Sequence, residues 1–113
     1  MKLPNGENAV VEITKLSDYC LSDAHPEGRH KARVFRAVLG IVASQGPMLR
    51  RRLLAAARDF DAVEGEADEF GHRYVIDFPV EHVGRRALVR SAWIVLTSEN
   101  FPRLISCYVL RGL

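Results

Sequence analysis

The chain has 113 residues, of which 48% are hydrophobic and 27% charged, with a net charge of +2. That is the size and balance of one globular domain over residues 1–113, apolar enough to build a core and not polar enough to stay disordered. No apolar run nears the ~20 residues a membrane span needs, and Met1-Lys2-Leu3-Pro4-Asn5 has no signal-peptide core, so a cytoplasmic protein with no membrane partner is expected.

In chain order, Leu3 to Asn8 reads as an extended arm and turn, because Pro4 and Asn5-Gly6 punctuate the backbone. Ala9-Val10-Val11 is a short strand. Ile13, Leu16 and Cys20 then recur at helical spacing, which predicts a first helix over about 12–21. Ser22 to Gly28 is a loop, since Pro26 and Gly28 disfavour helix. A second helix runs from about His30 to Leu39 on a stripe of Ala32, Phe35, Val38 and Leu39, with Gly40 as its C-terminal cap. The third begins near Gly46-Pro47, with Ser44 or Gly46 as its cap, and buries Leu49, Leu53 and Ala56.

After Phe60 the period changes to that of strands. Val63 to Ala67 alternates, and Arg73 to Val80 places Tyr74, Ile76 and Phe78 on one face, with Pro79 marking a weakened end or an edge. Glu81 to Arg85 is a hairpin loop. Ala87 to Leu96 is the longest strand, and Leu104 to Leu110 alternates Leu104, Ser106 and Tyr108 against Ile105, Cys107 and Val109. The expected fold is α+β: about three N-terminal helices packed on a C-terminal antiparallel meander of about four strands. The sheet face away from the helices would be partly polar, lined by Arg73, Asp77, Arg90 and Tyr108.

Charge is unevenly distributed. His30, Lys31, Arg33, Arg36, Arg50, Arg51, Arg52 and Arg58 gather on the second and third helices. Asp59 to Glu69 holds six acids in eleven residues and no base, which fits a solvated edge. Three consecutive arginines cannot all face one partner on a helix, so Arg50 to Arg52 reads as a solvated face. The stretch from Asp23 to Phe35 concentrates the chemistry: His25, His30, Arg29, Lys31 and Arg33 surround a turn that feeds a helix start. Imidazoles and cations there suit a phosphate, because the first backbone N–H groups of a helix lack partners. The competing reading is a polar loop followed by an ordinary amphipathic helix.

Elimination narrows the chemistry. Cys20, His25 and His30 are spaced by five and lack a fourth ligand, so no metal is expected. There is no Gly-x-Ser-x-Gly elbow, glycine-rich phosphate loop or dinucleotide fingerprint, and no cofactor is expected. Cys20 and Cys107 belong to no CxxC unit and read as buried free thiols. What remains is metal-independent RNA cleavage, which needs a base for the 2′-hydroxyl, an acid for the leaving oxygen and cations for the phosphorane. His25 and His30 are the candidate acid/base pair, with Lys31 and Arg33 on the phosphate and Arg73, Arg90 and Tyr108 binding the strand. Trp93 lies in mid-strand among aliphatic residues and is assigned to the core.

The chain also resembles a bacterial domain family. The resemblance rests on Lys15-Leu16, Tyr19 and Leu21, and on a histidine-glycine-histidine-lysine-alanine-phenylalanine motif at His25, Gly28, His30, Lys31, Ala32 and Phe35. It continues through Glu66-Ala67-Asp68, Gly71, Arg73-Tyr74, Trp93-Ile94-Val95, Pro102-Arg103-Leu104 and Tyr108-Val109. Similar domains occur alone and at the C-terminal tips of polymorphic toxins and phage head-associated proteins. The resemblance implies a toxin effector like the barnase, colicin and toxin ribonuclease class, with a small acidic immunity protein as partner. It supplies no catalytic residues. The alternative is a non-catalytic protein–protein interaction module of such a two-gene or phage-derived system.

Overall fold

Residues 1–113 are all described by the computed structural model, and helices precede strands along the chain. The N-terminal arm is anchored twice, by a bridge between Lys2 and Asp61 and by a parallel bridge between Val10 and Arg103. Helix α1, Ile13–Lys15, runs directly into a π-helical turn, Leu16–Cys20, which buries Leu16 and Cys20. The expected first helix is therefore present, but its second half is wound more loosely than an α-helix. Such π turns are frequent at functional sites.

Helix α2, Gly28–Leu39, buries Gly28, Ala32, Phe35 and Leu39 and ends at Gly40 with φ 68°, the left-handed conformation a C-terminal glycine supplies. It begins two residues earlier than the sequence suggests. Gly28 opens the helix instead of closing the loop, and glycine is required there because a Cβ would lie 2.0 Å from the Tyr19 carbonyl oxygen. Helix α3, Gly46–Asp59, buries Leu49, Leu53, Ala56 and Ala57 and carries Pro47 in its first turn. No side chain caps its start, so Ser44 does not act as the cap.

Four strands form one antiparallel sheet in chain order: β1, Val63–Ala67; β2, Gly71–His82; β3, Arg85–Leu96; and β4, Pro102–Gly112. The α+β architecture, helices first and a meander after, is the one the hydropathy periods predict. β1 meets β2 only between Val63↔Val75 and Ala67↔His72. Pro79 therefore sits inside β2 where no outer strand covers it, which is why a residue without an N–H is tolerated there. β2 and β3 close through a two-residue turn, Val83-Gly84, with φ 47° and 77°. The expected five-residue loop is thus a tight hairpin.

The inner face of the sheet presents Tyr74, Ile76, Phe78, Val80, Val89 and Trp93 to α2 and α3. Trp93 is fully buried, as its strand context predicts. Its indole N–H donates to Ser91 Oγ at 2.9 Å, and that hydroxyl donates to the Ile76 carbonyl at 2.9 Å. In β4 the alternation breaks. Ala92 pairs with Ser106 and Trp93 with Leu104, so Ile105 is an extra residue. This bulge reverses the facing of the strand: Pro102 and Leu104 point inward before it, Cys107 and Val109 after it. The face shared by Leu104, Ser106 and Tyr108 in the sequence reading is split by that extra residue.

Candidate functional site on the basic helix

The loop before α2 is held by short-range hydrogen bonds. Ser22 Oγ accepts the backbone N–H groups of Ala24 and His25, both at 3.2 Å. The His25 ring then turns back, and its Nδ1 accepts the N–H groups of Glu27 at 3.1 Å and Gly28 at 3.0 Å. An imidazole here does the work usually done by an Asp or Ser cap, satisfying donors at the helix start. The ring also meets Tyr19 edge-on, with centroids 4.7 Å apart. His25 keeps only Nε2 for exchange with a substrate.

One turn on, Lys31 Nζ donates to Tyr19 Oη at 2.9 Å. The hydroxyl of Tyr19 holds the Lys31 pKa above its ordinary value, against the opposing cost of partial burial. Lys31 is therefore a fixed cation. His30 and Arg33, at a spacing of three, lie on the exposed side of α2 with Arg29. None of Arg29, His30, Lys31 and Arg33 forms an ion pair, although Lys2, Arg36, Arg58, Arg73, Arg86, Arg90 and Arg103 all do.

Two surface hollows meet at His30. One, of about 330 Å³, is walled by His30, Lys31 and Val34 of α2 and by Tyr108 and Val109 of β4. The other, of about 480 Å³, is walled by Asp23, Arg29, His30, Arg33 and Arg36. His25 lines a third hollow with Tyr19 and Ser106. The fold thus joins His30, Lys31, Arg33 and Tyr108 around one helix end and leaves His25 on a different surface of it. The roomiest hollow, about 800 Å³, lies between the N-terminal arm and α3 beside Arg50 and Arg51, away from all four histidines. Arg50 Nε donates to the Val11 carbonyl at 2.7 Å, so its guanidinium braces the arm.

On the outer sheet face, Arg90 grips Asp77 with two hydrogen bonds of 2.8 Å, opposite Tyr108 in the register of β3 and β4. The Arg90 guanidinium in turn holds the Asp77 carboxyl below its ordinary pKa. Arg73 donates to Asp68 at 2.8 Å, in the turn between β1 and β2. Both sheet arginines proposed from the sequence are therefore matched to carboxylates. The residue the sequence reading undervalued is Tyr19, which orders Lys31 through its hydroxyl and packs its ring against His25. Its signals were its place in the first helix, nine residues before Gly28, and its place among the residues that carry the family resemblance.

An N-terminal helical layer with an uncompensated basic helix end, laid on a four-stranded antiparallel meander, defines the class of domain. The particular family follows from the sequence: the chain belongs to the family described as a domain of unknown function (DUF6883), whose model matches residues 2–111. No curated protein matches the chain. Among solved structures, the fold is similar to a chain of a contact-dependent growth inhibition toxin–immunity protein complex from Klebsiella pneumoniae 342. The TM-score is 0.62 at 14% identity, covering 95% of this chain and 97% of that one.

Proposed function

We propose that the chain is the toxin member of a toxin–immunity pair and cleaves RNA without a metal, using the exposed N-terminal end of α2. The observation that carries this reading is the group of cations on α2, Arg29, Lys31 and Arg33, gathered around His30 and engaged in no ion pair, the nearby Asp23 being taken by Arg36. Cations left unpaired on one helix end attract a polyanion, and an imidazole among them can move the proton from a 2′-hydroxyl. His30 is the proton-transfer residue, Lys31 and Arg33 stabilise the phosphorane, and Tyr108 offers a ring beside His30 for a base or ribose. Arg73 and Arg90 act on the RNA backbone only as parts of their carboxylate pairs. His25 enters as the residue that shapes the helix start, with Nε2 as its one free nitrogen. The fold likeness to a chain from a toxin–immunity complex supports the pairing with a small acidic immunity protein, which would cover the same cations.

The test is direct. Purified protein, folded and free of any partner, should degrade a mixed RNA pool at micromolar concentration in the presence of a metal chelator. His30→Ala should abolish cleavage while moving the thermal midpoint by no more than a change at an exposed site does, about 0.5 kcal/mol of stability. An intact RNA pool under a folded wild-type protein ends the ribonuclease reading.

The second reading is a non-catalytic module that docks an acidic protein on α2. The capping role of His25 favours it, because that histidine has a structural reason to be present. A co-purified partner covering His30 and Lys31, with no RNA cleavage by the free domain, decides for it.

A further inference from the structure

The two cysteines, 87 residues apart, meet at the junction of the π turn and β4. Cys20 ends the π turn and Cys107 lies on the inner face of β4, just past the bulge, and both are wholly buried. β4 is an edge strand, and beyond its short bridge to Val10 its outward N–H groups have no neighbouring strand to accept them. At Cys107 that place is filled by a sulfur: the backbone N–H donates to Cys20 Sγ at 3.4 Å. The Ser106 hydroxyl is 3.8 Å from the same sulfur. A backbone N–H and a hydroxyl around one buried sulfur form a cradle for a thiolate, the reactive form of cysteine.

We propose that Cys20 and Cys107 are a redox pair, with Cys20 as the sulfur oxidised by a peroxide and Cys107 as the thiol that resolves it into an internal disulfide. The Cys20 thiolate attacks one peroxide oxygen; an S–O bond forms, the O–O bond breaks, and hydroxide leaves. Sulfur loses two electrons and the peroxide gains them. The Cys107 sulfur then attacks the sulfenic sulfur of Cys20. An S–S bond forms, the S–O bond breaks, and the departing hydroxide takes the Cys107 proton to become water. The sum is two thiols and one peroxide giving one disulfide and two waters.

The roles are assigned by the surroundings of each sulfur. The Cys107 thiol, then its backbone N–H and the Ser106 hydroxyl, bring Cys20 down to about 7 against the opposing effect of burial, with Lys31 adding its charge. Cys107 is pushed the other way, first by the adjacent Cys20 and then by burial, and remains the protonated partner. With Cys20 Sγ 3.4 Å from the Cys107 backbone nitrogen, the two residues are neighbours, and a bond of ~2.05 Å requires their sulfurs to turn toward one another. The product would fasten the π turn that carries Tyr19 to the sheet edge beside the basic helix.

The experiment uses the reduced full chain exposed to a few-fold excess of hydrogen peroxide, then unfolded for intact-mass measurement and thiol titration. The expected result is a monomer lighter by two hydrogens, with both thiols lost together and both recovered on reduction. Cys107→Ser should stop at a sulfenic acid on Cys20 that dimedone traps, and Cys20→Ser should leave Cys107 unmodified over the same time. The wild-type measurement stands by itself if either variant fails to fold. Two thiols still titrating after peroxide, oxygen additions in place of hydrogen loss, or a disulfide-linked dimer as the product would each overturn the proposal.

Discussion

The Lys31 ammonium donates to the Tyr19 hydroxyl at 2.9 Å, tying the second turn of α2 to the π turn before it. Tyr19→Phe keeps the ring against His25 and removes only the acceptor. Allowing for solvent screening, the loss of a hydrogen bond to a charged group should cost about 1 kcal/mol. The Lys31 pKa is raised in the folded protein, chiefly by Tyr19, so this contribution is complete below the unfolded value of about 10.4 and lost as pH rises through the native one. Urea midpoints of wild type and Tyr19→Phe should therefore differ equally at mildly acidic and mildly basic pH.

His25 caps α2 through Nδ1, and the cap can be separated from chemistry. His25→Ala should cost about 1 kcal/mol, the usual value of a lost N-terminal cap. His25→Asn, with a short side-chain acceptor, should recover most of that in thermal denaturation. If His25 is a positioning residue, the Asn variant also recovers RNA cleavage. Full stability with no cleavage would instead make Nε2 a participant in proton transfer.

The unpaired cations on α2 predict a definite salt dependence. Arg29, Lys31 and Arg33 are three contacts, which for single-stranded RNA gives a slope of log affinity against log salt of about −2. Arg33→Ala should reduce that slope by about 0.7. Fluorescence anisotropy with a non-cleavable oligonucleotide measures both, and a slope unchanged in Arg33→Ala would remove this residue from the interface.

Asp77 provides an acid-side test of the outer sheet face. Its carboxyl is held below the ordinary value first by the Arg90 hydrogen bonds, so its stabilising effect is present above the unfolded value of about 3.9 and falls away as pH drops through the lowered native one. Asp77→Asn should lose no more than about 1 kcal/mol at neutral pH, since the pair is partly open to solvent. The difference should vanish toward the acid end of a pH series of thermal melts.

The hairpin turn offers a gain of stability. Val83 is 73% exposed with φ 47°, a left-handed conformation unfavourable for a β-branched side chain. Val83→Asn creates an Asn-Gly turn of the type this hairpin requires. It should raise stability by about 0.5–1 kcal/mol, read as a higher thermal midpoint.

Much of the fold was legible because helix and strand periods are local. Leu49, Leu53 and Ala56 announce α3, and Tyr74, Ile76 and Phe78 announce the inner face of β2, each without reference to any distant residue. The bulge at Ile105 was not legible, since the extra residue is defined only by the partners Ala92 and Trp93 on another strand. The candidate site was legible as residue types: the sequence gathered His25, His30, Lys31 and Arg33 into one segment. It did not separate them, because His25 and His30 differ only in what their rings meet after folding.

The sequence by itself determined the order of elements, the buried stripes and the concentration of cations at one helix start, because these follow from spacing and side-chain chemistry along a single segment. Only the tertiary structure decided which charges are free. Arg73 and Arg90 pair with Asp68 and Asp77 within the sheet, whereas Arg29, His30, Lys31 and Arg33 form no ion pair. Only tertiary structure brought Cys20 to Cys107 and Lys31 to Tyr19. The physical reason is that ion pairs and hydrogen bonds act over a few ångströms in space, and that distance is fixed by the packing of α2 on the sheet.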